Sequence, residues 1–191
     1  MDLSSIYLPV ILMGLLALGT WWLVRNAPKP QSVREQVVAG HEVDYYMNDF
    51  SVRSFDGTGV LTSEIQGNKM RHYMDTDTLE IDTATMRSIR QDGSTTVATA
   101  NRALSNADGS EVQLFGNAKV VRSSNKPGAP QMEFRGEFLH AFVNEERVSS
   151  NKPVEIIRGQ DRFTADSMVF NNITQVAELK GRVKGVLQPA R

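Results

Sequence analysis

Two patterns of apolar and polar positions divide the chain. Residues 6–24 (IYLPVILMGLLALGTWWLV) are nineteen consecutive uncharged residues, closed by Arg25. From Tyr45 onward the apolar residues instead recur at every second position, the period of strands with one face buried. At about 1.5 Å of rise per residue, a helix over the first stretch is just long enough for a hydrocarbon core of roughly 30 Å. Trp21 and Trp22 fall at one end and Tyr7 at the other, where amphipathic rings suit a membrane interface. Pro9 lies in the first turn, where its missing N–H removes a donor the helix leaves unpaired anyway. Residues 1–25 are therefore expected to form an N-terminal membrane anchor.

Two other readings compete. A buried core helix lacks a helical layer to pack against, since everything after it reads as strand. A cleaved signal peptide lacks a basic leader, and the residues after its apolar run are bulky where cleavage requires small ones. Orientation is in conflict with charge: only the amine and Asp2 precede the span, while Arg25, Lys29 and Arg34 follow it. The positive-inside rule alone puts the large C-terminal part in the cytoplasm.

Residues 26–40 open with Pro28 and Pro30 and are polar, the composition of an extended tether. Residues 41–191 are expected to form one domain. Phe50, Val52 and Ser54 alternate with Ser51 and Arg53, a DGTG turn follows at 56–59, and Leu61 and Ile65 alternate with Thr62, Glu64 and Gln66, which predicts a hairpin. Further strands are predicted at 79–83, 86–89, 95–100, 111–122, 131–134, 138–144, 154–157, 162–170 and 175–187, separated by turn residues such as Asp92-Gly93 and Asn171-Asn172. No segment after the tether carries a helical stripe, so the domain is expected to be all-β and antiparallel. Its inner faces are expected to carry Phe50, Val52, Leu61, Ile65, Leu79, Ile81, Val112, Leu114, Phe134, Phe138, Phe142, Ile156, Phe163, Met168, Ala177 and Leu179.

A weak internal repeat sets residues 100–121 over 165–186, aligning Asn106 with Asn171, Leu114 with Leu179, Gly116 with Gly181 and Lys119 with Lys184. A stack of such hairpins has two open edges that can pair with other chains.

Composition narrows the function mainly by exclusion. From residue 26 onward, 20 Lys and Arg face 21 Asp and Glu, a balance that disfavours a polyanionic partner such as nucleic acid. The absence of cysteine removes thiol catalysis, disulfides and cysteine-ligated metals. His41, His72 and His140 stand without HxH or HExxH spacing, and the acidic run Asp75, Asp77, Glu80 and Asp82 lacks the glycine and terminal glutamate of a calcium loop. There is no phosphate-binding loop and no nucleophile beside a base. No cofactor and no enzymatic activity are expected. An apolar inner face rich in Phe and Met suits either acyl chains or a plain sandwich core.

The run from Asp44 (DYYMNDFSVRSFDGTGVLTSEIQGNKMRHYMDTDTLEI), the strand VQLFGNAKV and the terminal FTADSMVFNNITQVAELKGRVKG together resemble the LptC family, the bitopic inner-membrane components of lipopolysaccharide export in Gram-negative bacteria. The resemblance covers essentially the whole chain. It implies a periplasmic, OstA-like β-jellyroll, V-shaped from two antiparallel sheets around an apolar groove, behind a single span whose N-terminus is cytoplasmic, against the charge bias. It also implies that the domain receives lipopolysaccharide from the transporter formed by LptB, LptF and LptG and passes it to LptA. Carried over by position, the groove falls on Phe50, Ile81, Phe115 and Ala177, with Gly59 and Gly159 flanking strands. Simple alternation adds Val52, Leu61, Ile65, Val112, Leu114 and Leu179, and puts Phe115 opposite Val112 and Leu114 unless Gly116 marks a bulge.

The edges carry the expected partner contacts: Asp44, Tyr45, Phe50 and Arg53 toward the transporter, and Glu178, Val183 and Val186 toward LptA. An anchored scaffold with a solid core and a cell-wall hydrolase are the rival functions. The hydrolase needs two of the three histidines to converge with the acidic run.

Overall fold

The computed structural model describes residues 4–26 and 40–188, with side chains in the first segment described from Ile11 onward. The expected tether lies outside the described residues except for Asn26 and Gly40. The chain falls into two units, residues 1–39 and 40–191.

In the first unit, α1 runs Ser4–Asn26. Every side chain described in it is exposed, apolar ones included. The guanidinium of Arg25 lies 4.8 Å from the Trp21 ring, and Thr20 donates its hydroxyl to the carbonyl of Leu16 at 2.9 Å. Among the described residues no helix is long and apolar enough to cross a membrane.

The second unit is one antiparallel sheet of 12 strands. The strands are β1 (Val43–Phe55), β2 (Leu61–Tyr73), β3 (Thr78–Ile89), β4 (Thr95–Asn106), β5 (Glu111–Ser123), β6 (Met132–Phe142), β7 (Arg147–Ser150), β8 (Val154–Arg158), β9 (Asp161–Ala165), β10 (Ser167–Asn171), β11 (Val176–Lys180) and β12 (Lys184–Val186). Sequential neighbours pair from β1 to β7; β7 then pairs with β10 and β10 with β11, while β8 pairs with β6 and β9, and β9 with β12.

That branching comes from a seam of ladder irregularities that crosses β1 to β6. Pairing jumps from Asn48↔Lys69 to Phe50↔Gly67, from Asp82↔Arg102 to Ala84↔Ala100, and from Phe115↔Phe138 to Ala118↔Gly136. Asp49, Thr83, Gly116 and Asn117 on the seam take left-handed backbone angles, as does Gly181 (φ +89°). Further along, the seam becomes complete breaks: residues 151–153 separate β7 from β8, Asp166 separates β9 from β10, and residues 181–183 separate β11 from β12. The first arm of the sheet comprises residues 43–48, 69–73, 78–82, 102–106, 111–115 and 138–142 with β7, β10 and β11. The second comprises residues 50–55, 61–67, 84–89, 95–100, 118–123 and 132–136 with β8, β9 and β12.

The sequence repeat is this seam crossing used twice. A Cβ on Gly116 would stand 2.8 Å from the amide nitrogen of Asn101, and one on Gly181 would stand 2.5 Å from the Cβ of Asp166. Asn101 and Asp166 are themselves equivalent positions of the repeat. In each copy a left-handed glycine lets the returning strand pass over a polar side chain.

A single out-of-phase residue flips the alternation, because the side-chain period of a strand is two. In β6 the buried positions are Phe134 before the seam and Leu139 after it. Phe138 and Phe142, expected on the inner face, therefore turn outward: Phe138 packs on Phe115 at 5.2 Å between ring centroids, and Phe142 lies under the Arg147 guanidinium at 3.7 Å. The inner faces of both arms join in one apolar core, with Ile81, Leu114, Leu139, Met168 and Phe170 from the first arm and Ala84, Val120, Phe134, Val154 and Ile156 from the second. At roughly 25 cal/mol per Å² this burial is the main driving force of the fold.

Candidate functional site: the space between the arms

The apolar space between the arms is covered at its middle and uncovered at its ends. In the central strands Leu114, Phe134 and Leu139 are fully buried. At the β1 end, Phe50 is half-buried, Val52 is 42% exposed, and Tyr45 and Met47 are exposed as well. At the other end, Ala177 on β11 is exposed and Leu179 is half-buried. Among the described residues β1 pairs only with β2, β11 only with β10 and β12 only with β9, so their outer hydrogen-bonding edges are open.

Most expected groove residues lie on these inner faces. Ile81 is 2% exposed, Val112 and Leu114 are buried, and Phe50, Ile65 and Leu179 pack against the core. Val52 pairs with Ile65 and Ala177 with Phe170, which puts both in phase with core residues. Leu61 is half-buried at the start of β2. Phe115 is a correction. Its ring lies against Phe138 and 4.9 Å from the Arg102 guanidinium, on the face of β5 opposite Val112 and Leu114. The bulge at Gly116 and Asn117 follows Phe115 and skips two residues, so it leaves the phase of β5 unchanged and cannot turn Phe115 inward.

Gly67 is a residue that alternation alone did not single out. It sits on the seam of β2, where a Cβ would stand 2.5 Å from Ile81 Cγ2 and 3.0 Å from Phe50 Cε1. Ile81 from the first arm and Phe50 from the second thus both rest on this glycine. The signal available in the sequence was its place between Ile65 and Met70, where the apolar phase switches.

At the expected edges, Arg53 points outward and pairs with Glu64 at 2.8 Å. Asp44 accepts from the backbone N–H of Tyr45 and contacts His72 Nδ1 at 2.7 Å, and the Tyr45 ring stacks on His72 at 4.6 Å. Glu178, Val183 and Val186 are exposed.

Histidines and acids do converge at the start of β1, as the hydrolase reading requires, but in structural pairs. His41 contacts Asp75 at 3.1 Å and stacks on Tyr73 at 3.9 Å. His72 lies between Asp44 and Asp77, which raise its pKa above the ordinary value. Arg71 pairs with Glu80 and Asp82, and Arg102 also reaches Glu80. These guanidiniums, with the Tyr73 hydroxyl, hold the Glu80 carboxyl below its usual range against its burial. Among the described residues no group of three or more His, Asp or Glu is placed to hold a metal.

Two clefts open on the sheet, and core residues line part of each: Ala118, Val154 and Ala165 in the larger, Met168 in the smaller. One of about 700 Å³ follows the seam past Lys119, Arg135, Glu155, Asp166, Arg182 and Lys184, and one of about 270 Å³ is lined by Phe138, His140, Ser149, Val169 and Glu178. Neither is lined by His41 or His72.

The sequence matches, over residues 9–188, the family described as lipopolysaccharide-assembly, LptC-related. No curated protein matches it. Among solved structures it is similar to LptH of Pseudomonas aeruginosa, described as the LptA homologous periplasmic component of the lipopolysaccharide transport device. The TM-score is 0.57 at 17% identity, over 66% of this chain and 95% of that one, a likeness of fold. With a match that runs nearly end to end, the chain belongs to the LptC-related family of lipopolysaccharide-assembly proteins, transport components rather than enzymes.

Proposed function

We propose that this chain is a bitopic inner-membrane protein in which residues 1–25 anchor a periplasmic β-jellyroll, residues 26–40 are the tether, and residues 41–191 conduct lipopolysaccharide. It accepts the lipid from the LptB, LptF and LptG transporter and hands it to LptA. The acyl chains travel between the two arms while the sugars and phosphates stay in water. At about 25 cal/mol per Å² their bare exposure costs tens of kcal/mol. The chain encodes no energy source, so directional movement comes from ATP hydrolysis in the transporter.

One observation carries this reading: the apolar inner face surfaces at the two open strand edges, through Val52 at β1 and Ala177 at β11. Pairing of β1 with the transporter's jellyroll and of β11 and β12 with LptA would make neighbouring interiors continuous. The burial of Phe134 and Phe170 between the arms favours the rival reading of a scaffold that never touches lipid. A photo-crosslinking residue at Phe50 discriminates the two: transport requires a lipopolysaccharide adduct there and none at Arg53, and the scaffold reading requires none at either. Removing residues 178–191 should abolish LptA capture while far-UV circular dichroism still reports the remaining sheet; undiminished capture refutes the assignment of that edge.

A further inference from the structure

Four polar side chains continue the inward phase at the rim where the two arms end: Arg122 within β5, and Arg90, Glu146 and Asn172 each one residue outside β3, β7 and β10. On the second arm, Arg90 follows the buried Ala84, the half-buried Met86 and the exposed Ser88 at steps of two, and Arg122 follows the buried Ala118 and Val120. On the first arm, Glu146 precedes Val148 and Ser150, and Asn172 follows Met168 and Phe170, in the same phase. The arms meet through these residues. Arg90 Nη2 lies 2.7 Å from Glu146 Oε2, with the two side chains 37% and 32% exposed.

Glu146 is held in place from its own arm. Asn172 donates its side-chain amide to the carboxylate and its backbone N–H to the Glu146 carbonyl at 2.9 Å. The Asn172 amide and then the Arg90 guanidinium keep the Glu146 carboxyl below the usual carboxylate range. Arg122, opposite Thr96, has no carboxylate at ion-pair distance among the described residues. Burial and the positive charge of Arg90 push its pKa down, against the pull of Glu146 and Asp92. Two guanidiniums thus face the mouth with one carboxylate bound between the arms. Behind them lies an apolar row across three strands, Met86 on β3, Ala98 on β4 and Val120 on β5, one step of two inside Arg122 and, past Ser88, two such steps inside Arg90.

We propose that Arg90 and Arg122 form a subsite for a phosphate carried by an amphiphile, and that Glu146 latches the mouth shut until that phosphate replaces it on Arg90. This rests on the transport reading above. Guanidinium groups bind phosphate through paired, charge-assisted hydrogen bonds, and a phosphomonoester carries about −1.5 to −2 charges where a carboxylate carries one. The apolar row inside the arginines, directly behind Arg122, selects a phosphate with a fatty tail over a free anion. Exchange of the carboxylate for phosphate severs the bond between the arms and admits the tail in the same step.

The absence of cysteine allows two spin labels to be set without background, at the exposed turn positions Gln91 and Asn144, and the distance across the mouth to be measured in the full chain. E146Q should lengthen it without ligand, and the exchange R90E with E146R should restore it. An unchanged distance in E146Q overturns the latch. Bis-phosphorylated lipid A should open the parent, whereas dephosphorylated lipid A and inorganic phosphate at equal concentration should not. R122Q should need about tenfold more phosphorylated lipid, the weight of one charged hydrogen-bond pair.

Opening by the dephosphorylated lipid, or parent-like titration of R122Q, overturns the subsite and leaves lipid transport standing. Opening by inorganic phosphate alone overturns the amphiphile assignment. No response to either lipid, together with no adduct at Phe50, sinks the transport reading and the subsite with it, while the E146Q distance still judges the latch.

Discussion

Phe134 on β6 and Phe170 on β10 face each other with ring centroids 5.0 Å apart and planes tilted by 43°, although their strands do not pair. One belongs to each arm, and they are 2% and 3% exposed, so this contact closes the middle of the space between the arms. Phe134→Ala and Phe170→Ala should each cost about 3–5 kcal/mol in urea unfolding followed by far-UV circular dichroism. A double-mutant cycle should show coupling of about 0.5–1.5 kcal/mol. Strict additivity would mean that the arms do not touch there.

Gly67→Ala tests the close approach at the seam. The new methyl group meets Ile81 Cγ2 at 2.5 Å and the Phe50 ring at 3.0 Å, and overpacking of this kind costs about 1–3 kcal/mol. Ile81→Ala makes room for the methyl group, so the double variant should lose less than the sum of the two single losses. A Gly67→Ala variant as stable as the parent would show that the two arms do not converge on this residue.

The repeated crossings should fail alike. Gly116→Ala and Gly181→Ala each place a Cβ in a left-handed backbone, at φ +71° and +89°, beneath Asn101 and Asp166 respectively. The strain costs about 1–2 kcal/mol in each case. At Gly181 it also disturbs Asp166, which accepts from the Arg182 backbone N–H at 3.1 Å. Gly59, equally left-handed but with open space around it, should lose only the backbone part. Equal losses at all three positions would refute the role assigned to the crossings.

The attachment of β1 should depend on pH through His72. Hydrogen bonds that His72 donates to the carboxylates of Asp44 and then Asp77 raise its folded pKa above the ordinary 6.5. A raised cationic pKa gives stability that is complete below 6.5 and is lost as pH climbs through the higher folded value. Hydrogen exchange of the β1 amides, corrected for intrinsic rate, should therefore show stronger protection at pH 5.5 than at pH 8.5. His72→Gln should erase the difference, and an unaltered difference in that variant would assign it to another group.

The sequence was readable wherever alternation survives and misleading where the seam interrupts it. β5 was expected almost in full because its two skipped residues, Gly116 and Asn117, leave Leu114 and Ala118 in phase. β3 and β6 each looked like two strands, because Thr83 and Glu137 shift the phase by one. Conversely, the stretches 162–170 and 175–187 looked continuous although Asp166 and residues 181–183 break them. The four strand residues of β7 went unnoticed between two turn signals.

The site was legible to the same degree. Phe50 and Ile81 follow from apolar phase, whereas the rim residues Arg90, Glu146 and Asn172 read as polarity at or beside turns and Arg122 as the end of a predicted strand. Their meaning needs the fold, which brings residues 56 positions apart into one ion pair across the mouth.

The seam has one more consequence, for movement. Interstrand bonding is already interrupted along it, so the two arms can swing about that line as a hinge without breaking a single rung of either ladder. What resists the swing is side-chain packing: the apolar core that both arms share, the aromatic contact at its middle and the ion pair at the rim. On the transport reading, cargoes of different girth would be fitted by changing the hinge angle, at the cost of packing in the shared core rather than of the sheet.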